Sequence, residues 1–193
     1  IVVDSGTGKA VAALGEDSEI VISKGAKLQC TGDVLVEASD GGSVALKPGD
    51  GEDRSLYLLA GEGKTAVKAE TGRITIGTKT GITKILGNVV IGDLYSTINL
   101  GNGSLFDGDL IYKGTKETPD FKMYLGDNSI WERKGNVEKD LVIDNLEIEN
   151  HGKNDLSKSS KINQTEGTNL IINKLKSSLY GTLQVLYTPD TND

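Results

Sequence analysis

The sequence predicts an all-β chain folded as a single-stranded parallel β-helix of roughly eight coils, with essentially no α-helix. Three observations carry this expectation. The first is a duplicated stretch: Ile98–Phe106 reads I-N-L-G-N-G-S-L-F, and 25 positions later Met123–Trp131 reads M-Y-L-G-D-N-S-I-W. Each slot keeps its chemistry, and a self-similar period of about 20 to 50 residues marks a solenoid, whose unit buries its apolar face only against a stacked neighbour. The second is composition. The 193 residues include 25 Gly but only 3 Pro, and aromatic residues make up 5%, so short aliphatic strands alternate with small turn residues. The third is periodicity: no window offers about 11 residues of apolar i, i+3, i+4 spacing.

Within the duplicated stretch the pattern is strand, tight turn, strand. Gly101 and Gly126, each followed by Asn or Asp, suit a turn that needs positive φ, and Leu105-Phe106 and Ile130-Trp131 restart the strand. Upstream, strand-like segments recur every eight or nine residues: Val11–Leu14, Glu19–Ser23, Lys27–Cys30 and Val34–Ala38, with turns at 15–18, 24–25 and 31–33. Three such strands make a coil of roughly 20 to 25 residues, the length of a three-sided β-helix turn. Ser43–Leu46, Leu56–Leu59, Thr65–Ala69, Arg73–Ile76, Ile82–Leu86 and Asn88–Ile91 continue the pattern. Ile74 and Ile76, with Thr75 between them, alternate as a half-buried strand should. Ile74–Gly77 lies 24 positions before Ile98–Gly101 and reads as a weak third copy. Three polar stretches, Pro48–Arg54, Lys113–Asp120 and Glu149–Gly167, read as loops extruded from coil corners. Stacked coils give a rod on the order of 40 Å long.

Charge and residue inventory exclude several functions. A net charge of −7 disfavours nucleic acid, whose phosphates need clustered Lys and Arg. Cys30 is the single cysteine and reads as a small buried hydrophobe, not a reactive thiol. His151 is the single histidine, in a polar loop, so a multi-histidine metal site is excluded and a Ser/His/Asp triad is not expected. Asp4-Ser5-Gly6 reads as a turn. Gly6-Thr7-Gly8-Lys9 lacks full phosphate-loop spacing and is followed by Ala10. Asp50, Glu52 and Asp53, and likewise Asp107 and Asp109, offer oxygens to calcium, which requires six to eight ligands. Asn102-Gly103-Ser104 and Asn163-Gln164-Thr165 match the glycosylation pattern. No catalytic residue, cofactor or resident metal is expected. No apolar run approaches the ~18 residues of a membrane span, and no signal peptide is evident; a chain opening Ile1-Val2-Val3 reads as an excised fragment.

In the C-terminal third, Leu125–Trp131, Leu141–Ile148, Asn169–Leu175 and Tyr180–Val185, in that order and spacing, resemble the end of the passenger domain of a pertactin-like bacterial autotransporter. Leu125-Gly126-Asp127-Asn128-Ser129-Ile130-Trp131 is similar to the family's strand-turn-Trp element, and Leu141–Ile148, with Asn145-Leu146, to the following coil. Asn169–Leu175 is similar to the next strand, and Tyr180–Val185 with Asn192-Asp193 to the Gly-Thr-Phe strand and its acidic turn; Leu183 stands where Phe is common. The resemblance divides the chain into stem coils at 1–121 and autochaperone-like coils at 122–193. It implies a right-handed parallel β-helix, export to the bacterial cell surface through a C-terminal translocator barrel, and terminal coils that fold first and template the rest. Residues implied in that role are Leu125, Gly126, Ile130, Trp131, Leu146, Ile148, Gly181, Leu183, Val185 and Tyr187. The implied function is a structural and adhesive stem displaying loops to a protein or glycan receptor on host cells or other bacteria, with self-association possible.

Two other classes compete. A polysaccharide lyase or hydrolase needs carboxylates converging on adjacent coils with a basic partner. Asp144 with Glu147, or Asp107 with Asp109, are the nominees, but strand alternation is expected to send Asp144 and Glu147 to opposite faces, and no Arg stands near Asp107 in sequence. A trimeric adhesin head would repeat at a shorter period.

Overall fold

The computed structural model describes residues 2–49, 55–134, 140–149, 155–164, 169–178 and 181–187. These form a parallel β-solenoid of about 7 turns. Its strands fall into three sheets running along the stack, of eight, five and seven strands, and every pairing is parallel. Among the described residues there is no α-helix, and one 3-10 turn spans Leu156–Lys158.

The first sheet stacks β1 (Val2–Asp4), β4 (Ala26–Gln29), β7 (Leu56–Leu59), β10 (Thr83–Leu86), β13 (Leu105–Asp107), β16 (Ile130–Arg133), β18 (Ser160–Gln164) and β20 (Leu183–Tyr187). The second stacks β2 (Val11–Leu14), β5 (Val34–Ser39), β8 (Thr65–Ala69), β11 (Asn88–Ile91) and β14 (Leu110–Tyr112). The third stacks β3 (Glu19–Ile22), β6 (Ser43–Leu46), β9 (Ile74–Gly77), β12 (Ser96–Leu100), β15 (Phe121–Leu125), β17 (Leu141–Ile148) and β19 (Leu170–Ser177).

Side chains of period two explain the core. Every second residue points inward and meets the equivalent residue of the next coil, so the interior is a set of columns. In the first sheet Leu28, Leu58, Ile85, Phe106, Trp131 and Ile162 follow one another in register, all fully buried. In the third, Leu46, Ile76, Ile98, Met123 and Leu146 do the same, and in the second Val36, Val67, Val89 and Leu110. Cys30 is buried with them, its thiol 3.7 Å from the Gly32 carbonyl.

Coil length varies more than a fixed period allows. Along the first sheet, successive column residues are 30 apart from Leu28 to Leu58, 21 from Ile85 to Phe106, 25 from Phe106 to Trp131 and 31 from Trp131 to Ile162. The two longest steps are those whose sequence includes the polar stretches around 48–54 and 149–159. The result is about 7 turns in place of the eight expected from a constant length.

Four expectations need correction. Glu149–Gly167 is not one extruded loop: it contains β18, whose Ile162 is fully buried between Trp131 and Val185. The weak third copy is real as a neighbour but slipped, since Ile98 pairs with Ile76, 22 positions back, and not with Ile74. A slip of two residues keeps inward residues inward, so the hydrophobic pattern tolerates it. In the duplicated turn the residues of positive φ are Gly103 (69°) and Asn128 (56°), which share a slot, and not Gly101 or Gly126. Gly101 is required by proximity: a Cβ there would stand 2.5 Å from the Gly81 carbonyl oxygen of the preceding coil. Finally, Asp144 and Glu147 lie on the same outer side of β17. The strand buries Leu141, Ile143, Leu146 and Ile148, so alternation changes phase at Asp144-Asn145, where pairing with β19 also skips a residue.

Candidate cleft at the corner of four coils

One corner of the solenoid, between the first and second sheets, carries a cleft of about 410 Å³ lined by residues of four successive coils. The turn after β7 contributes Gly61, Glu62 and Gly63, the step from β10 to β11 Leu86, Gly87 and Asn88, and the step from β13 to β14 Asp107, Gly108 and Asp109; Lys134 follows β16.

Glycine makes the recess. Gly61 and Gly63 hold φ of 89° and 69°, and an added Cβ would meet nothing within 4 Å, so both face open space. Gly87 and Gly108 form the narrow floor: a Cβ on Gly108 would stand 2.3 Å from the Gly87 carbonyl oxygen. Backbone bonds hold these steps in register, from the Gly87 N–H to the Asp107 carbonyl at 2.9 Å and from the Gly108 N–H to the Glu132 carbonyl at 3.0 Å.

Behind the floor stands the aromatic core. Phe106 and Trp131 stack with ring centroids 5.6 Å apart and planes 3° from parallel, and the buried Trp131 indole N–H donates to the Gly108 carbonyl at 2.9 Å. The cleft wall is therefore rigid, because the same Trp that fills the core also fixes the backbone between Asp107 and Asp109.

Polar groups on the wall are largely paired. Lys134 Nζ lies 2.8 Å from Asp107 Oδ1, with the two side chains 38% and 35% exposed, and this contact holds the lysine above its usual range. Asn88 Oδ1 accepts the Asp109 backbone N–H at 2.9 Å. Asp109 is 2% exposed and lies in the field of Arg133, itself 1% exposed, which donates to Gln164 Oε1 at 2.6 Å and to the Asn169 carbonyl at 3.3 Å. Burial pulls the Arg133 guanidinium below its usual range, opposed by Asp109 and Asp140. Glu62 sits exposed at the rim.

Asp107 and Asp109 are thus brought together as the sequence suggested, but with Lys134 and Arg133 beside them, where the sequence had shown no basic partner. The repeat held the signal: β13 and β16 pair Asp107 with Glu132, which carries Lys134 to the level of Asp109. Glu62 and Asn88 had no such signal, because their coils differ in length.

A second polar cluster lies on the outer face of the third sheet. Glu147 accepts from Lys122 at 2.7 Å and from Lys79 at 2.8 Å, which lowers its pKa to about 2. Lys79 Nζ also sits 4.6 Å from the ring centroid of Tyr124, whose hydroxyl donates to Glu149 Oε2 at 3.1 Å; burial, then Glu149, raise that phenol. Lys79 lies in the turn after β9 and Glu147 in β17, so the contact straps several coils together. Asp144 interacts with Lys174 at 3.5 Å.

The residues of the autochaperone-like set separate into two groups. Leu125, Gly126, Trp131, Leu146 and Ile148 are buried and Ile130 is half-buried, all within interior coils. Gly181 and Leu183 are half-buried, Val185 is 62% exposed in the last strand, and Tyr187 pairs in register with Gln164. Asp4-Ser5-Gly6 is a turn in which the Ser5 hydroxyl donates to the Gly8 carbonyl at 2.7 Å, while Lys9 is paired with Glu37. His151 and Asp50, Glu52 and Asp53 lie outside the described residues. Among the described residues no three His, Cys, Asp or Glu side chains converge as metal ligands.

No protein-family model matches the chain, and no curated protein or solved structure is significantly similar to it, so its likeness to autotransporter passengers rests on the quoted residues alone.

Proposed function

We propose that the chain is part of the β-helical stem of a bacterial autotransporter passenger, displayed at the cell surface or secreted, with a structural and adhesive role. The stem holds corner loops toward a protein or glycan receptor on host cells or other bacteria, and its C-terminal coils template folding behind a translocator barrel. The observation carrying this reading is the repeated corner. Leu100–Phe106 and Leu125–Trp131 occupy equivalent places in neighbouring coils, and the second copy resembles the strand-turn-Trp element of passenger domains. The experiment fuses the chain to a translocator barrel and compares surface display and unfolding midpoint with those of Trp131→Ala. Loss of the buried indole is expected to cost about 3–5 kcal/mol and to abolish display; unchanged display and midpoint would overturn the reading.

A second reading, cleavage of a polysaccharide, draws on Asp107, Asp109 and Lys134 meeting across adjacent coils. Glycosidic cleavage needs one carboxyl free to give a proton and another free to act as base or nucleophile. Here Asp107 is engaged by Lys134 and Asp109 is almost wholly buried beside Arg133, which favours a scaffold over an enzyme. Release of reducing or unsaturated sugar from a glycan panel would reverse that preference.

A further inference from the structure

We propose that the corner cleft binds a neutral saccharide without cleaving it. The inference rests on the cleft alone and stands or falls apart from the stem reading. Its volume of about 410 Å³ lies in the range of small-molecule sites, roughly 300–1,000 Å³. It runs along the stack, where equivalent atoms of neighbouring coils are about 4.8 Å apart, so donors and acceptors recur along its length as hydroxyls do along a sugar chain.

The chemistry of the wall selects against charge. Asp107 and Lys134 already neutralise one another at 2.8 Å, yet each remains more than a third exposed toward solvent. A charged ligand would have to compete with this pair, whereas hydroxyl groups can accept from the ammonium and donate to the carboxylate with the pair intact. The Asn88 amide spends its oxygen on the Asp109 N–H, which leaves its NH₂ as a further donor. Leu86 offers the apolar patch that the C–H face of a pyranose requires.

Preorganisation is built in. Gly61 and Gly63 keep the recess open at backbone angles that disfavour any side chain, and the Trp131 indole fixes the Gly108 carbonyl from behind. A ligand therefore meets a wall that need not rearrange, which lowers the ordering cost of binding.

The test titrates the folded chain with a panel of neutral glucose-, galactose- and mannose-based di- and trisaccharides, and in parallel with galacturonate and glucosamine oligomers, by calorimetry and ligand-observed NMR. At least one neutral sugar is expected to bind at least tenfold more tightly than the charged oligomers. That binding should weaken at least tenfold in both Asp107→Asn and Lys134→Ala, and remain unchanged in Lys79→Ala on the outer face of the third sheet. Thermal unfolding checks that each variant is folded, and Glu62→Trp at the exposed rim, which obstructs the recess without touching the core, provides a further blocking variant. Absence of neutral-sugar binding, preference for a charged oligomer, or binding indifferent to Asp107, Lys134 and Glu62 substitutions would each overturn the proposal.

Discussion

Gly103 and Asn128 show how one slot of a repeated turn can be filled by two residue types for one reason. Both adopt positive φ, where glycine is free of strain and asparagine is tolerated among side-chain-bearing residues. Gly103→Asn is therefore expected to leave stability within about 0.5 kcal/mol, while Gly103→Val should cost about 1–2 kcal/mol or more. Equal denaturation midpoints for the two variants would contradict this. The neighbouring glycines obey a different rule. Gly101 has no room for a Cβ beside the Gly81 carbonyl, and Gly126 would bring one to 2.7 Å from Asn102 Oδ1. Asn102 itself is held by the second copy: its Oδ1 accepts the Asp127 N–H at 3.1 Å while the Gly103 N–H donates to the Asp127 carbonyl at 2.8 Å.

Among the elements, β16 and β18 carry the most instructive pairing. Arg133 points inward at a register position where the two preceding coils place Gly108 and Gly87, and its neighbour in the next coil is Gln164, not a hydrophobe. This matched polar pair explains why Ser160–Gln164 can be a buried-sheet strand with Ile162 as its one apolar residue. Arg133→Leu should lose at least about 2 kcal/mol, because it removes the charged hydrogen bonds to Gln164 and the Asn169 carbonyl and the positive charge facing Asp109. Adding Gln164→Leu should recover part of that loss, since the two leucines, in register across β16 and β18, can pack on one another; an additive further loss in a double-mutant cycle would refute the coupling. Between β9 and β17, the Lys79–Glu147–Lys122 strap makes a pH-dependent contribution. Glu147 has a folded pKa of about 2, below its ordinary 4.5, so its pairing contributes fully above about 4.5 and fades as pH falls toward 2. Glu147→Gln should therefore lower the midpoint near neutral pH and lose less of it than the parent on acidification. Parallel acid limbs for the two proteins would show that the strap contributes nothing.

At the scale of the molecule, a solenoid is stabilised coil by coil, each contacting only its neighbours. The described coils are not equally covered. Ile76, Ile98 and Met123 in the middle are fully buried, whereas in the last coil the inward Leu175 is 60% and Val185 62% exposed, with their strands forming sheet edges. Amide hydrogen exchange of this chain is expected to be fastest at 170–177 and 183–187 and slowest from β9 through β15. The opposite order would mean that the terminal coils are the most stable part of the chain even without a neighbour beyond them, and would strengthen their assignment as a folding template.

The repeat at 25 residues, the inward columns of Leu, Ile and Val, the absence of helical periodicity and the pairing of Phe106 with Trp131 were all determined by the sequence, because a period-two strand and a stacked corner leave their pattern in neighbouring residues. Coil count and register were not. They depend on how much chain lies between successive rungs, and the polar segment Glu149–Gly167 holds a strand whose inward residues are mostly polar. The cleft was likewise decided by tertiary structure. Asp107 and Asp109 are two positions apart in sequence and Lys134 follows from the 25-residue repeat, but Asn88 and Glu62 reach them only because coils of unequal length stop at the same corner, where glycine backbones leave the space between them open.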